Sequence, residues 1–520
     1  MTRPVVWSIA GSDSGAGAGL QADLRAFDTF DVHGCTAVAA ITAQNSVSVA
    51  RVDPVATDLL DAQIAALASD LPPRAIKTGL LGSVANVQCV AAWVDRLRRA
   101  APVALVIDPV WRASTGAELG SAALREALLR ELLPRATVIT PNRAEAAWLL
   151  GRDVATLARP DAVEQAATAL HGLGPQAVVI TGGDAGGARS LDWMATPEAQ
   201  GWLGLPRVET PHHHGSGCVF AASTAAALAL GFCSADALVI AKMSTTHALR
   251  QARAAGQGAG AVRPRRGFGR HAELLPSLSA VTADRGHQAF AALADPRIGL
   301  YAVVDSAEGV ERVLAAGVRS VQLRIKEGAR EHLSQEVVRS VKAARSVQAQ
   351  LFINDHWQLA LEHGAYGVHL GQEDLLSVDM EALRGAGLRV GLSTHSFWEV
   401  CRAHAWSPSY IACGPIHATT TKDMPWLPQG NGNLAYWCRV LREPVVAIAG
   451  MDPVRCHEAV RCGAAGVAVL RGIAQASDPA RLIERLQAAM TAGSLAQPLP
   501  APELPRSTLP GPARAVLQGR

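Results

Sequence analysis

The second half of the chain alternates short apolar runs with helical stretches eight times, which severely restricts the folds open to it. The apolar runs are four to seven residues long and lie at 299–305, 320–326, 350–355, 367–370, 390–394, 410–414, 444–449 and 466–470. Eight strand–helix repeats over roughly 195 residues predict a compact (β/α)₈ barrel. Active-site groups of such barrels lie at the carboxyl ends of the strands, where the loops to the helices begin.

Polar and charged residues are concentrated at these predicted strand ends. Arg324 and Lys326 are two residues apart, so on one strand they point to the same face, where with Lys422 they would hold a polyanion such as pyrophosphate. Asp355 and Asp374 supply the oxygen ligands that a phosphate-bound Mg²⁺ prefers. Surface ion pairs at the strand ends are the alternative interpretation. The other polar or glycine positions after predicted strands include Asn354, Ser393, Thr419, Thr421 and Gly450.

The first half also reads as alternating strands and helices. Apolar runs at 4–10, 104–109, 137–142 and 177–183 end in polar residues or glycine. Such runs are typical of a parallel sheet that is covered on both faces and binds its ligand at the carboxyl edge.

Two glycine-rich segments of this half indicate an anion site. The loop 11–19 follows the first predicted strand, and its glycines allow the backbone to approach a ligand closely. Gly215, Gly217 and Cys218 precede a long alanine-rich helix, so free N–H groups and the helix dipole would face a transferring phosphoryl group. The adjacent histidines at 212–214 are metal ligands or, more simply, part of a polar loop.

Composition restricts the partners. Lysine and arginine number 48 against 45 aspartates and glutamates, and this balance argues against nucleic acid or an anionic membrane as the main partner. No apolar run reaches the length of a membrane span. The nine cysteines form no C-x-x-C pair and the first residues do not resemble an export signal, so we expect a reducing, cytoplasmic location. The basic run Arg263, Arg265 and Arg266 is interpreted as a solvated linker rather than a nucleic-acid patch.

The barrel half contains five characteristic sequence motifs: VQLRIK (321–326), FINDHW (352–357), GVHLGQEDL (367–375), GLSTH (391–395) and GPIHATTTK (414–422). These motifs resemble those of thiamine-phosphate synthase. The resemblance implies condensation of 4-amino-5-hydroxymethyl-2-methylpyrimidine diphosphate with 4-methyl-5-(2-phosphoethyl)thiazole, giving thiamine phosphate and pyrophosphate. It further implies these roles: pyrophosphate binding by Arg324, Lys326, Asn354 and Lys422, Mg²⁺ binding by Asp355 and Asp374, pyrimidine contact by Gln322 and Ser393, and thiazole phosphate binding by Thr419, Thr421 and Gly450.

The first half contains a second set of sequence motifs: SIAGSDSGAGAGLQADL (8–24), AITAQNS (40–46), IKTGLLG (76–82), IDPV (107–110), ITPNRAEAAWL (139–149) and HGSGC (214–218). It resembles the ribokinase superfamily, and within it the hydroxymethylpyrimidine/phosphomethylpyrimidine kinases, which use ATP as cosubstrate. The resemblance implies that Asp23 and Gln44 read the aminopyrimidine, that Asn142 and Glu145 support Mg²⁺–ATP, that Thr181 faces the nucleotide phosphates, and that Gly215, Gly217 and Cys218 form an anion hole.

Cys218 stands where the sugar kinases of that superfamily carry an aspartate base. A helix N-terminus lowers the pKa of a thiol, so Cys218 would either assist deprotonation or bind the substrate phosphate.

The two resemblances imply four segments and one pathway. We predict a ribokinase-like three-layer α/β domain with a parallel sheet over 1–270, a linker over 271–295, a TIM barrel over 296–490 and a disordered, proline-rich tail over 491–520. The first domain would phosphorylate the pyrimidine twice and the barrel would then form thiamine phosphate. The substrates are small molecules, and the sequence leaves the oligomeric state open, a homo-oligomer included.

Three alternatives stay open. The first domain could be a pyrimidine-binding regulatory module with weak or absent kinase activity. It could also be a sugar or pyridoxal kinase, although Asp23 and Gln44 fit an aminopyrimidine better than a polyol. For the barrel, the rival at the level of fold is a phosphate-binding isomerase.

Overall fold

The computed structural model describes residues 3–113, 116–282, 288–419, 425–509 and 511. The chain divides into two compact units, Met1–Ala283 with Leu509–Arg520, and Asp284–Thr508. In the described residues, no helix has the length and apolar character needed to cross a membrane.

The first unit is built on one mixed sheet. Its described strands are β1 (Val5–Asp13), β2 (His33–Gln44), β3 (Val49–Pro54), β4 (Ala75–Thr78), β5 (Ala104–Ile107), β6 (Val138–Ile139), β7 (Ala177–Ile180), β8 (Arg189–Ala195), β9 (Gln200–Pro206) and β10 (Ser277–Ser279). The order is β10-β9-β8-β7-β6-β5-β4-β1-β2-β3. The central strands β2, β1, β4, β5, β6 and β7 are neighbours in this order and pair in parallel. Strand β3 at one side and strands β8, β9 and β10 at the other pair antiparallel.

Helices cover both faces of this sheet. They are α1 (Gly19–Thr29), α2 (Thr57–Asp70), α3 (Val84–Ala100), α4 (Ala122–Ala127), α5 (Arg143–Leu150), α6 (Pro160–His171), α7 (Ser216–Ala229) and α8 (Ser234–Arg250). Side chains alternate along β1: Trp7 and Ile9 pack with Leu60 of α2 and Val90 of α3, while Ser8 on the other face bonds to α1. The predicted three-layer α/β unit is confirmed, and its largely parallel sheet is extended by antiparallel strands at both sides.

The second unit is a closed barrel of parallel strands in the order of the sequence. The strands are β11 (Gly299–Val304), β12 (Ser320–Leu323), β13 (Gln350–Asn354), β14 (Gly367–Leu370), β15 (Arg389–Thr394), β16 (Tyr410–Cys413), β17 (Val445–Ile448) and β18 (Gly466–Val469). The helices are α9 (Ala307–Ala315), α10 (Arg330–Ser346), α11 (Trp357–Glu362), α12 (Met380–Gly385), α13 (Phe397–His404), α14 (Gly430–Val440), α15 (Pro453–Arg461), α16 (Arg471–Ala474) and α17 (Pro479–Leu495). The predicted (β/α)₈ barrel is confirmed.

Strand β12 is shorter than the sequence predicts. It ends at Leu323, so Arg324 and Lys326 lie in the following loop rather than on the strand. The argument that they point to one face because side chains alternate along a strand was therefore wrong, since the alternation ends with the strand.

The segments predicted as linker and tail contain ordered structure. Part of the 271–295 segment is β10, which pairs with β9 of the first sheet. Helix α17 continues to Leu495, and beyond it the backbone N–H of Arg506 donates to Oδ1 of Asn433 at 2.9 Å. Prolines oppose regular helices but leave an irregular chain free to make such bonds, so the prediction of disorder is wrong for these residues. Residues 510 and 512–520 lie outside the described residues.

A buried asparagine joins strand β2 to the segments that follow β3 and β4 in the first unit, and its replacement tests this fold. Asn86 on α3 is fully buried, and its Nδ2 donates to the carbonyls of Ala39, Val55 and Leu81 at 3.0–3.2 Å. Asn86→Ala leaves these carbonyls without their donor, so we expect the free energy of unfolding to fall by about 2 kcal/mol. Urea unfolding followed by hydrogen exchange of peptides from this unit measures the change. Gln88→Ala, on an exposed position of the same helix, is the control, and equal stabilities of the two variants would contradict the prediction.

Candidate active sites

The first unit has a cavity of about 220 Å³ at the carboxyl ends of its parallel strands. Its walls bring together many of the predicted residues, namely Gln44, Asn142, Glu145, Gly215, Gly217 and Cys218. Asp23 and Thr181 were predicted to face the ligand but do not line the cavity. Lys77 and Asp108, which the sequence analysis did not assign to the site, do line it.

The two glycine-rich segments are tied together by Asp13. Its carboxylate accepts hydrogen bonds from the backbone N–H groups of Gly15, Gly17 and Ala18 at 2.8–3.0 Å. The same carboxylate lies 3.0 Å from Nε2 of His214. These contacts hold the pKa of Asp13 below its usual value, although burial alone would raise it. Among the described residues no group of three or more candidate ligands could hold a metal, and His214 acts as the partner of Asp13.

Gly215 permits the close approach of these segments. It precedes α7 with φ of 82°, and a Cβ atom there would lie 2.0 Å from the carbonyl oxygen of Gly17. Only glycine fits this position without moving the loop. Gly217 and Cys218 in the first turn of α7 line the cavity, which places the N-terminus of the helix at the cavity wall, as an anion site requires.

A buried lysine lies at the base of this cavity. Nζ of Lys77 is 3.0 Å from Oδ2 of Asp23 and 3.3 Å from Oδ2 of Asp108, and the side chains of Lys77 and Asp23 are fully buried. Burial opposes the charge of Lys77, but the two carboxylates raise its pKa, so the ammonium group stays protonated. Asp23 also accepts from Oγ of Ser8 at 2.5 Å. Asp23 therefore positions Lys77. Because the side chain of Asp23 is fully buried, the predicted direct contact between Asp23 and an aminopyrimidine does not fit the structure.

The thiol of Cys218 behaves differently from the expectation. Burial raises its pKa to about 12, although the nearby Lys77 opposes the shift. The prediction of a lowered pKa was wrong, because desolvation at this half-buried position exceeds the effect of the helix N-terminus. Cys218 is a neutral thiol at physiological pH, which favours ligand binding over proton abstraction.

Asn142 and Glu145 form the first turn of α5. Oδ1 of Asn142 accepts from the N–H of Glu145, and the N–H of Asn142 donates to Oε2 of Glu145, both at 2.9 Å, which is a capping box. Burial and the neighbouring Asp108 raise the pKa of Glu145 well above its usual value. Thr181 follows β7 and pairs with Asn142 through a parallel backbone bridge.

The barrel has a cavity of about 1020 Å³ at the carboxyl ends of its strands. Lys326 is exposed and does not line it, whereas Thr421 and Lys422 lie outside the described residues. The predicted residues that do line it are Gln322, Arg324, Asn354, Asp355, Asp374, Ser393, Thr419 and Gly450.

Two carboxylates meet at the rim of this cavity. Asp355 takes a left-handed backbone conformation with φ of 61° directly after β13. Oδ2 of Asp374 accepts from the N–H of Gly371 at 2.7 Å. Burial and then repulsion by Asp374 raise the pKa of Asp355, while Arg324 opposes the shift. Two acidic oxygen donors that repel each other are a donor set suited to a hard divalent cation.

Five polar side chains, three of which line the cavity, form a continuous series of hydrogen bonds inside the barrel. Gln322 bonds to Tyr301 at 3.2 Å, Tyr301 to Tyr410 at 2.8 Å, Tyr410 to Nδ1 of His369 at 2.7 Å, and Nε2 of His369 to Ser393 at 2.8 Å. Burial, assisted by the charge of Arg324, lowers the pKa of His369 to about 4, so its ring is neutral. The sequence analysis assigned Gln322 and Ser393 but missed the three residues that connect them.

An aromatic wall lies on the other side of the cavity. The rings of His395 and Trp426 stack with centroids 4.0 Å apart and an interplanar angle of 18°. Nδ1 of His395 lies 2.7 Å from Oε2 of Glu399, which fixes the imidazole. A flat heteroaromatic ligand fits against such a wall.

Two family models match the chain. One is described as phosphomethylpyrimidine kinase and matches residues 13–263; the other is described as thiamine monophosphate synthase and matches residues 300–473. A hydroxymethylpyrimidine/phosphomethylpyrimidine kinase of Synechococcus elongatus is 45% identical over 261 residues, which cover 50% of this chain and 97% of that protein. A thiamine-phosphate synthase of Shigella sonnei is 49% identical over 183 residues, 35% of this chain and 87% of that protein.

Solved structures also resemble the chain. A Bacillus subtilis pyridoxal kinase in complex with ADP has 34% identity and a TM-score of 0.47, covering 51% of this chain and 98% of that one. A phosphomethylpyrimidine kinase of Clostridium difficile has 29% identity and a TM-score of 0.41, covering 48% of this chain and 100% of that one.

The buried lysine gives a direct test of the first site. Lys77→Met leaves Asp23 and Asp108 buried without a cation, so we expect the free energy of unfolding of the first unit to fall by about 3 kcal/mol. The double variant Lys77→Met/Asp23→Asn removes one of the stranded charges and should recover part of this loss. Urea unfolding followed by hydrogen exchange of β1 and β4 peptides measures both. No loss in the single variant, or a further loss in the double variant, would contradict the account.

Proposed function

Because the chain belongs to the phosphomethylpyrimidine kinase family through its first unit and to the thiamine-phosphate synthase family through its second, we propose that its two cavities carry out successive reactions. The chain is a bifunctional enzyme of thiamine biosynthesis, both a kinase and a transferase. The first cavity phosphorylates hydroxymethylpyrimidine and then its monophosphate with ATP. The barrel condenses the resulting diphosphate with thiazole phosphate. The observation that carries this proposal is that each cavity combines an anion site with groups suited to a polar heteroaromatic ring.

In the first cavity, the chain's own groups bind the substrate and the transferring phosphoryl group. The N–H groups that begin at Gly215 stabilise the charge that develops on the phosphoryl oxygens, and the protonated Lys77 adds a fixed positive charge. Gln44 offers an amide to the aminopyrimidine, and the neutral thiol of Cys218 donates a weak hydrogen bond. In the first transfer the substrate hydroxymethyl oxygen forms the new P–O bond, the bond between the γ-phosphorus and the departing ADP oxygen breaks, and the hydroxyl proton is released to water. In the second transfer a phosphate oxygen of the monophosphate is the attacking atom and a second ADP leaves.

Mg²⁺ fits the acidic groups of this cavity. Burial beside Asp108 raises the pKa of Glu145, and a divalent cation next to it would favour its charged form. We therefore assign Asp108 and Glu145, with Asn142 as support, to Mg²⁺–ATP. When bound, the ion neutralises phosphate charge.

In the barrel, catalysis consists of stabilising a leaving anion and aligning the attacking atom. The bond between the pyrimidine methylene carbon and the diphosphate oxygen breaks, and its electron pair leaves with pyrophosphate. The lone pair of the thiazole nitrogen forms the new C–N bond, so no proton has to move. Arg324 and Asn354 hold the leaving group, and the thiazole phosphate lies against Thr419 and Gly450.

The carboxylates at the rim would hold Mg²⁺ on the leaving group. Asp355 and Asp374 are assigned to it because they are oxygen donors that repel each other in its absence. Lys326 is exposed outside the cavity, so the polyanion is assigned to Arg324 and Asn354 instead. Lys422 and Thr421 keep the roles that the sequence resemblance gives them.

The regulatory alternative for the first unit is not favoured. The matched kinase is covered over 97% of its length, and the cradle formed by Asp13, His214 and Gly215 is complete. A module that only senses pyrimidine needs neither the N–H groups of α7 at the cavity nor the acidic pair beside it.

Asp374→Asn separates the two reactions. The purified chain is incubated with hydroxymethylpyrimidine, Mg²⁺–ATP and thiazole phosphate, and all phosphorylated products are followed by mass spectrometry. We expect thiamine phosphate formation to fall about a hundredfold while pyrimidine diphosphate accumulates, because only the barrel loses a cation ligand. Glu381→Gln also removes one negative charge, but at an exposed position on α12, and should leave the amounts of both products unchanged. Accumulation of free pyrimidine, or undiminished thiamine phosphate, would contradict the assignment.

A further inference from the structure

The hydrogen-bonded series in the barrel links two opposite parts of the cavity wall. We call Gln322, Tyr301, Tyr410, His369 and Ser393 the relay. Gln322 and Ser393 line the cavity, whereas Tyr301 and Tyr410 are buried below it, each no more than 1% exposed. A buried hydroxyl or imidazole must have its donors and acceptors paired, so the members of the relay constrain one another.

The relay has one direction. Nε2 of Gln322 can only donate, so the oxygen of Tyr301 accepts from it and the proton of Tyr301 is donated to Tyr410. The proton of Tyr410 then goes to Nδ1 of His369. Because Nδ1 accepts this hydrogen bond, the proton that the imidazole itself carries lies on Nε2 and is donated to Ser393.

The two ends therefore present fixed and opposite groups to the cavity. With its nitrogen turned to Tyr301, Gln322 has its carbonyl oxygen Oε1 left to accept a hydrogen bond from a ligand. Ser393 already accepts from His369, so its own proton is left to donate. The cavity wall thus offers one acceptor at β12 and one donor at β15.

We propose that the relay is the specificity determinant by which the barrel selects a 4-aminopyrimidine over its 4-oxo counterpart, an inference that rests on the proposed synthase function. In the amino form, an exocyclic donor stands next to a ring nitrogen that accepts. The donor matches Oε1 of Gln322 and the ring nitrogen matches the hydroxyl of Ser393. In the oxo form the exocyclic oxygen accepts and the ring nitrogen donates. Oε1 of Gln322 would then face another acceptor, and the hydroxyl proton of Ser393 would face another donor.

Tyr410 is the member whose loss frees both ends. Tyr410→Phe removes the hydroxyl through which, in the described part of the chain, Tyr301 is connected to His369. His369 can then carry its proton on Nδ1 and accept from Ser393, which turns the Ser393 lone pairs to the cavity. Tyr301 can donate to Oε1 of Gln322, which turns the amide nitrogen to the cavity. Both ends then also suit the oxo form. Tyr410 is a positioning residue, since it contacts no substrate.

The test compares two unreactive ligands of the barrel. Hydroxymethylpyrimidine monophosphate and its 4-oxo counterpart are used as competitive inhibitors of thiamine phosphate formation from supplied pyrimidine diphosphate and thiazole phosphate, without ATP. In the unmodified chain we expect the amino ligand to bind at least a hundredfold more tightly. In Tyr410→Phe we expect this ratio to fall at least tenfold. A purely structural role would weaken both ligands by the same factor and leave the ratio unchanged, which would overturn the proposal.

Tyr436→Phe is the matched control. Tyr436 is equally buried in the same unit, and its hydroxyl has no hydrogen-bond partner among the described residues. The ratio should stay at the value of the unmodified chain, and an equal fall in this variant would overturn the proposal. An unmodified chain that forms no thiamine phosphate from the supplied substrates would instead refute the proposed function, and the inference with it.

Discussion

Parallel strands bring their carboxyl ends to one edge of a sheet, and both units depend on this convergence. In the first unit, the loops after β1, β4 and β5 meet the start of α7 there, so residues far apart in sequence share one cavity. In the barrel, closure of the sheet brings all strand ends into one ring. Apolar side chains fill most of each strand, and the polar groups assigned to phosphate and pyrimidine lie in the loops or near the carboxyl ends of the strands, as Asn354 and Ser393 do.

Polar groups below these loops are buried and paired, and the pairing fixes the cavity walls. Lys77 is held by two carboxylates, Asp13 joins the glycine-rich loop to His214, and the relay crosses the interior of the barrel. Each pair costs desolvation that only its partner offsets, so none of these groups can turn without leaving another unpaired. The ligand therefore meets groups whose orientation is set before it binds, which is the condition for electrostatic stabilisation of charge that develops during reaction.

The architecture could be read from the sequence because the strand–helix repeat is a local pattern. The same holds for the residues at or after strand ends, such as Asn354, Asp355 and Asp374, which the structure brings to the barrel cavity, whereas Gln44 was implied only by the family resemblance. Lys77, Tyr301 and Tyr410 were missed because they lie inside apolar runs, and their partners come from other strands. Two arguments failed for physical reasons: Lys326 lies beyond the end of β12, and the pKa of Cys218 follows desolvation that no sequence reveals.

In the proposed sequence of reactions, one chain transfers phosphoryl groups to the pyrimidine hydroxyl and then breaks the carbon–oxygen bond that this transfer has activated. Hydroxymethylpyrimidine carrying a heavy-oxygen isotope in its hydroxyl group tests both steps at once. The purified chain is given this substrate with Mg²⁺–ATP and thiazole phosphate, and the products are weighed by mass spectrometry. The account predicts that all of the heavy oxygen appears in pyrophosphate and none in thiamine phosphate. Heavy oxygen retained in thiamine phosphate, or unlabelled pyrophosphate, would contradict it.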